Sequence, residues 1–317
     1  MRSVVVGLGS IGKRHAENLK GLGVEVVTTD IGDKLRFDVD CAFICTPTQF
    51  HVDNAIEYLK RDIPTFIEKP LTWTLDDLPK IEPYKDKICM VGCNLRFHPS
   101  IIKAKTIADS KKVIFARAET GYYLPFWRQT DYKKSYSASE YGGIVIDAIH
   151  EPDYLYWLFG NFKQLKVVCD KVSDLEVKKE DIAEIGIIFE SGVSASVHMD
   201  YLMKNYHRKL DLYLPHEVIS FKIQPTNIMF KKEIEHFLRA VQEKKMPTNS
   251  LSEAIYVLRH TLEGRGDSPS KTDKHTTTTQ GSEEGGGSAN TLYVRGKRIT
   301  VKTTYTSGSS DPARDTS

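Results

Sequence analysis

The sequence has no apolar run approaching the roughly 18 residues that a bilayer-spanning helix requires, which excludes a helical membrane protein. It also lacks an imbalance of charge: the formal net charge is +2 over 317 residues. No whole-protein field therefore argues for nucleic acid or an anionic membrane as a partner. The start, Met1-Arg2-Ser3-Val4-Val5-Val6-Gly7, holds only a short apolar run and passes straight into a glycine loop. It does not read as a signal peptide. Cysteine is sparse, and the tight C-x2-C turns of zinc ribbons are missing. Cys41/Cys45 and Cys89/Cys93 share a C-x3-C spacing inside strand-like runs, and Cys169 stands apart. These read as small buried hydrophobes of a reducing compartment, so no metal site is expected and a cytoplasmic location is.

What is present is the composition of a globular protein, 40% hydrophobic and 27% charged, long enough for one large or two medium domains. Ser3–Val6, Val24–Thr29, Val39–Cys45, a run ending at Ile67 and Lys87–Gly92 read as strands. Helical spacing separates several of them, which predicts a doubly wound parallel sheet, α/β in class, over residues 1–92. From residue 93 the strands crowd together: Val113–Thr120, Leu165–Lys171, Ile182–Phe189, Val193–Tyr201, Lys209–Leu214 and Glu217–Ile223. Helical stretches are expected at Gly143–Phe159, Lys231–Glu243 and Leu251–Glu263. This predicts a second, α+β domain over 93–263 built on a mostly antiparallel open sheet. Residues 264–317 lose periodicity and are rich in Thr, Ser and Gly, the composition of a flexible tail, with a hairpin-like piece at Thr291–Thr303.

Gly7-Leu8-Gly9-Ser10-Ile11-Gly12 follows a strand and opens a helix, the setting in which glycines bring backbone N–H groups against a pyrophosphate. Asp30 ends the next strand, 18 residues past Gly12, where a carboxylate accepts from an adenosine ribose. A 2′-phosphate there meets like charge, so NAD is favoured over NADP. Glu68-Lys69-Pro70 ends another buried strand with charges, either as an ordinary loop or as the floor of a ligand crevice. In the second case Lys69 steadies an alkoxide or shuttles a proton, and Glu68 meets the nicotinamide-side ribose. Asp147 and His150 are three apart on one predicted helix. The carboxylate is expected to raise the imidazole's pKa and orient it as acid or base. Pro152 predicts a kink or a restart of that helix.

"GLGSIGKRH", "CTPTQFH", "IEKP", "NLRFHP" and "GG…D…H", in this order, resemble the glucose–fructose oxidoreductase/inositol dehydrogenase (Gfo/Idh/MocA) family over roughly residues 1–263. The resemblance implies a Rossmann domain, a C-terminal open-sheet domain that also mediates homo-oligomerisation, and NAD(P)-dependent chemistry on sugars or polyols. By motif, Lys69 resembles the family's catalytic lysine, Pro70 its often cis proline, and Asp147 and His150 its distal acid/base pair. Thr46, Pro47, His51 and Glu68 resemble cofactor-side residues, and Asn94, Arg96 and His98 line the domain junction, Asn94 and Arg96 as candidate substrate-binding residues. The Asp–His spacing matches a subset with an "HE-x-D-Y" helix. Only Ile31–Val39 separate Asp30 from the next strand, so a helix and an edge strand are expected to be missing and the adenine pocket to be open. "GKRITVK", 296–302, either resembles the family's final strand displaced by an insertion or matches by chance.

Residues 121–143, "GYYLPFWRQTDYKKSYSASEYGG", are dense in Tyr, Trp, Lys and Arg. Tyr123 and Trp127 are candidate sugar-stacking residues, with cations nearby to meet phosphate or carboxylate. A loop covering the sheet or a subunit interface explains the same composition. The ending "DYLYWLFG" resembles family members encoded among surface-polysaccharide genes. Two readings stand: an NAD-dependent oxidoreductase of a sugar, nucleotide sugar or polyol, or a non-catalytic dinucleotide-binding protein that retains the fold.

Overall fold

The computed structural model describes residues 1–30, 32–127, 131–269, 291–294 and 297–300. Its strands are β1 (Arg2–Val6), β2 (Glu25–Thr29), β3 (Cys41–Ile44), β4 (Thr65–Glu68), β5 (Cys89–Gly92), β6 (Phe115–Gly121) and β7 (Phe162–Asp170). They continue with β8 (Ile182–Phe189), β9 (Ser194–Asp200), β10 (His207–Tyr213), β11 (Val218–Lys222), β12 (Thr291–Val294) and β13 (Lys297–Thr300). The helices are α1 (Ser10–Gly21), α2 (His51–Leu59), α3 (Leu78–Ile81), α4 (Pro99–Ser110), α5 (Leu124–Trp127), α6 (Ile144–Asp147), α7 (His150–Phe159), α8 (Asn227–Glu243) and α9 (Leu251–Arg265).

β1–β5 form one parallel sheet in the order β2-β1-β3-β4-β5. The chain leaves β1 to one side for β2 and crosses to the other for β3. That reversal opens a crevice at the carboxyl ends of β1 and β3. Thr29, Val6 and Ile44 stand in register at this edge, and Glu68 and Gly92 pair at the ends of β4 and β5. Residues 32–40 contain turns but neither helix nor strand, so β2 is the edge of the sheet, as the short spacing after Asp30 predicts.

Strand alternation sends Val5, Phe43 and Phe66 to one face, where Leu19 of α1 and Ile234 and Phe237 of α8 cover them. Val4, Val6, Ile44 and Ile67 face the other way, against Val52 and Ala55 of α2, in a core that runs on into the second sheet. α8 comes from late in the chain yet packs beside α1, because Ile234, Phe237 and Leu238 form one buried stripe at helical spacing. α4 was not anticipated: only Ile101 and Ala104 of its residues are buried, too few to give a periodic signal.

The second sheet has the order β11-β10-β6-β9-β8-β7, with β6 and β9 parallel and every other neighbouring pair antiparallel. β8 alternates buried and exposed along its length, the signature of a sheet with one covered face. The helix expected over Gly143–Phe159 is two helices, broken at Ala148 and Ile149. Pro152 is the third residue of α7, in the first turn, where N–H groups have no intrahelical partner. The helix therefore restarts ahead of the proline. β12 and β13 pair antiparallel with each other, Thr291 against Thr300, so Lys297–Thr300 of "GKRITVK" pairs with Thr291–Val294. Residues 270–290, 295–296 and 301–317 of the expected tail lie outside the described residues. Among the described residues no helix is long and apolar enough to cross a membrane.

Candidate active site

β1 ends at Val6, and the chain turns at Gly7, whose φ of +94° is one that side chains rarely adopt. A Cβ there would stand 2.7 Å from the Cys45 carbonyl oxygen, and one at Gly12 would stand 1.9 Å from the Gly7 carbonyl oxygen. These two glycines let the first turn of α1 press against the ends of β1 and β3. A Cβ on Gly9 would meet nothing within 4 Å. No side chain caps α1 at Gly9, so its first N–H groups are left for an anion. The residues present therefore fit a dinucleotide pyrophosphate.

The loop lines a cleft of 690 Å³ between the two sheets, together with Ser10, Ile11, Asp30, Thr46, Pro47, His51, Glu68, Lys69, Asn94, Trp127, Asp147 and His150. His51 is buried, its Nδ1 2.8 Å from the Pro70 carbonyl oxygen and its Nε2 2.7 Å from that of Thr46. Burial pushes its pKa down, against the pull of both carbonyls. It ties the loop after β3 to the cis Lys69–Pro70 turn.

Glu68 and Lys69 point to different partners. Glu68 Oε1 lies 2.5 Å from Nε2 of the buried His15, and Oε2 accepts the Lys69 backbone N–H at 3.1 Å. Lys69 Nζ reaches across the cleft and donates to Asp147 twice, to Oδ1 at 3.0 Å and to the carbonyl oxygen at 2.8 Å. The Asp147 carboxylate also accepts from Tyr122 (2.9 Å), Ser137 (2.6 Å), Tyr201 (3.1 Å) and Tyr136. Tyr136 lies 3.3 Å from Lys69 Nζ as well. The result is an ammonium fixed in orientation, 18% exposed, at the seam between the two sheets.

His150 opens α7 and is buried, and its Nδ1 has no hydrogen-bond partner among the described residues. Burial, then the positive charges of Lys69 and Arg208, hold its pKa well below the usual imidazole value, while Asp147 pulls the other way. This corrects the expectation from the Asp147–His150 spacing. The helix break separates the two residues, Asp147 is saturated by other donors, and desolvation outweighs its charge.

Arg96, Tyr123 and His98 are not among the residues lining the cleft. Arg96 is fully buried, its guanidinium held by Asp153 at 2.8 and 2.9 Å and by Glu253 at 2.9 Å. It joins the turn at Asn94–Phe97 to α7 and α9. Tyr123 packs on Phe126 with Lys204 Nζ 3.1 Å above its ring centre, outside the cleft-lining set. His98 serves α4: its Nδ1 accepts the Ser100 N–H at 3.1 Å. Conversely, Arg14, Tyr122, Tyr136, Tyr206 and Arg208 line the cleft without having been singled out. Trp127 stacks on Tyr206, with ring centroids 5.1 Å apart and planes 12° from parallel. Arg208 bonds Glu151 at 2.8 Å and Thr120 at 3.1 Å. Tyr136 sits in the aromatic loop that drew attention, whereas Arg208 carries no signal of spacing.

Comparison with known proteins agrees with this geometry. Residues 20–93 match the family model for the oxidoreductase family with an NAD-binding Rossmann fold, and residues 103–218 match the GFO/IDH/MocA C-terminal domain. A curated relative, the scyllo-inositol 2-dehydrogenase (NAD(+)) of Bacillus subtilis (strain 168), is 31% identical over 189 residues, 50% of this chain. The match spans 54% of that relative's length. A solved myo-inositol dehydrogenase from Corynebacterium glutamicum ATCC 13032 superposes with a TM-score of 0.71 at 19% identity, over 84% of this chain and 96% of that one. The UDP-N-acetylglucosamine 3-dehydrogenase GnnA from Acidithiobacillus ferrooxidans gives 0.69 at 18% identity, over 83% and 96%. With both domain models matched in order, the chain belongs to the Gfo/Idh/MocA family of oxidoreductases, and its Rossmann half is an NAD-binding fold.

Proposed function

We propose that the protein is an NAD-dependent oxidoreductase acting on a CH–OH group of a sugar, nucleotide sugar or polyol. The observation that carries this reading is the Lys69–Asp147 pair, at 3.0 Å, in the same cleft as His150 and the uncapped start of α1. NAD, when bound, supplies the hydride-exchanging chemistry. The chain does the rest. The first N–H groups of α1 hold the pyrophosphate, and Asp30 accepts from the adenosine ribose and repels a 2′-phosphate, favouring NAD over NADP. Lys69 donates to the reacting oxygen and steadies its negative charge as the hydroxyl proton leaves. His150, kept neutral by its surroundings, is the acceptor for that proton in the direction of oxidation. Asp147 holds Lys69 in orientation.

Trp127, Tyr206 and Tyr122 wall the cleft and suit the face of a sugar ring. A nucleotide sugar of surface-polysaccharide metabolism is the finer reading, supported by the aromatic wall and by the fold likeness to GnnA. In this reading residues 1–92 carry the cofactor, 93–263 carry the substrate, and copies of the chain associate through the second sheet. Its open face exposes Val168, Ile188 and Val218. The short segment after β2 favours a second reading, a dinucleotide-binding protein without turnover. The two are separated by titrating the protein with NADH by fluorescence and then following NADH formation or loss across inositols, hexoses, hexuronates and nucleotide sugars. Binding with turnover supports the enzyme. Binding without turnover on the whole panel supports the second reading, and no binding sinks both.

A further inference from the structure

Beneath the inner end of the cleft lie three buried titratable groups that this mechanism leaves unused or uses only in part. Glu68 lines the cleft and contacts His15 behind it at 2.5 Å. His15 is fully buried and boxed by Phe43, Phe66 and Phe230, with ring centroids 5.8, 5.2 and 6.4 Å away. Its Nδ1 has no hydrogen-bond partner among the described residues. The third group, Glu233 on α8, is fully buried, and neither of its carboxyl oxygens has a partner among the described residues. Phe230 and Phe237, three before it and four after it, share its helix face. The Phe237 ring lies 5.4 Å from Phe43 and 5.7 Å from Phe66, so Glu233 faces the same aromatic box as His15.

Among the described residues, the groups around Glu233 give it no cation of its own. Lys69 is taken by Asp147 and Arg96 by Asp153 and Glu253, and the Arg14 guanidinium lies over Phe230, 4.7 Å from its ring centre. The thiols of Cys45 and Cys93 are neutral, raised by burial and by carboxylates that include Glu233. Burial, followed by the charges of Glu68 and Asp153, pushes the Glu233 carboxyl well above its usual range. An unpartnered buried carboxyl of this kind keeps its proton.

We propose that Glu233 is a positioning residue whose buried, unpartnered carboxyl holds a proton behind Glu68, with His15 as the contact between them, so that binding of oxidised cofactor expels that proton and binding of reduced cofactor does not. The inference rests on the NAD reading above. Asp30 follows β2 and Glu68 ends β4, on opposite sides of the glycine loop at β1. The end of the dinucleotide away from Asp30 would therefore reach Glu68. Oxidised nicotinamide carries a positive charge there, and a cation beside a carboxyl favours its ionised form. The step is an acid dissociation: the O–H bond of the Glu233 carboxyl breaks, a carboxylate remains, and the proton leaves to the buffer. The His15 ring links the aromatic box to Glu68 and so to the cleft.

The test is calorimetric titration of the full chain with NAD+ and with NADH, at one pH, in buffers of different ionisation enthalpy. Wild-type heats should depend on the buffer for NAD+ and not for NADH. NAD+ affinity should rise with pH, approaching about tenfold per unit if one full proton is released. Glu233→Gln, of the same shape, should remove the buffer dependence and flatten the pH dependence while NADH affinity stays. His15→Gln tests the same cluster independently of α8. Buffer-independent heats for NAD+ in the wild type, or a dependence retained in both variants, overturn the proposal. Failure of either cofactor to bind overturns the NAD reading and this one with it, whereas equal proton counts for both cofactors overturn this one alone.

Discussion

Lys69→Met keeps the alkyl stem of the lysine and removes only its charge. At the 3.0 Å that separates Nζ from Asp147 Oδ1, two unit charges attract by about 5–6 kcal/mol at an effective dielectric of about 20. Most of that offsets the desolvation of both ions. Asp147 keeps the hydroxyls of Tyr122, Tyr136, Ser137 and Tyr201, so it is not orphaned by the substitution. The net loss of stability is then about 1–3 kcal/mol, a fall of roughly 2–12 °C in Tm. Turnover should suffer more, by about 10²–10⁴-fold, or roughly 3–5 kcal/mol in the barrier. NADH affinity should stay within about threefold, since the pyrophosphate contacts are backbone ones. His150→Ala should lose a similar factor, and the double variant should be little worse than either single one. Steady-state rates beside NADH fluorescence titration decide the matter. Wild-type turnover by Lys69→Met, on a substrate the native protein uses, would make the lysine a strand terminator and nothing more.

His150 should titrate well below 6.5, so the acid limb of its catalytic profile lies below that value. Lys69→Met should move the His150 resonance in NMR to a higher pKa, and an unchanged titration would refute the assigned cause. Because the folded pKa is depressed, the contribution of His150 to stability is present above about 6.5 and is lost as pH falls toward the folded value. His150→Gln should therefore flatten the decline of Tm on the acid side of neutrality. Asp30→Ala should weaken NAD and relax discrimination against NADP, and calorimetry finding a wild type that prefers NADP would contradict the role given to Asp30. Arg96→Met should cost about 3–5 kcal/mol of stability by stranding buried Asp153, with kcat/KM of the folded fraction unchanged. A raised KM at unchanged stability would return Arg96 to the substrate site.

The parts of the site legible in the sequence are those encoded by neighbours in the chain. The glycine turn, Asp30 at a strand end and Glu68-Lys69-Pro70 each declare their setting within a few residues. The six strands of the second sheet were likewise visible, because burial alternates along strands such as β8. Arg96 was misread for the opposite reason. Whether a buried guanidinium serves substrate or scaffold depends on partners, and Asp153 and Glu253 lie 57 and 157 positions away. Tyr122 and Tyr123 illustrate the same limit at shorter range. Past the end of β6 no alternation tells which of two adjacent tyrosines turns to the cleft, and the structure selects Tyr122, bonded to Asp147.

The break between α6 and α7 is what turns these local signals into one site. On a continuous helix Asp147 and His150 would stack on one face and compete for the same neighbours. With Ala148 and Ile149 released from helix, Asp147 ends one segment among four hydroxyls and Lys69, while His150 begins the next with an Nδ1 that has no partner among the described residues. The carboxylate is thereby spent on holding Lys69, and its pull on the imidazole is outweighed by burial and by the charges of Lys69 and Arg208. Lys69 follows β4 of the first sheet, and its acceptor ends α6, which packs on β8 and β9 of the second. The ammonium is therefore aimed only when the two halves are packed together, and the charges that end β4 are charges of the joint as much as of the strand.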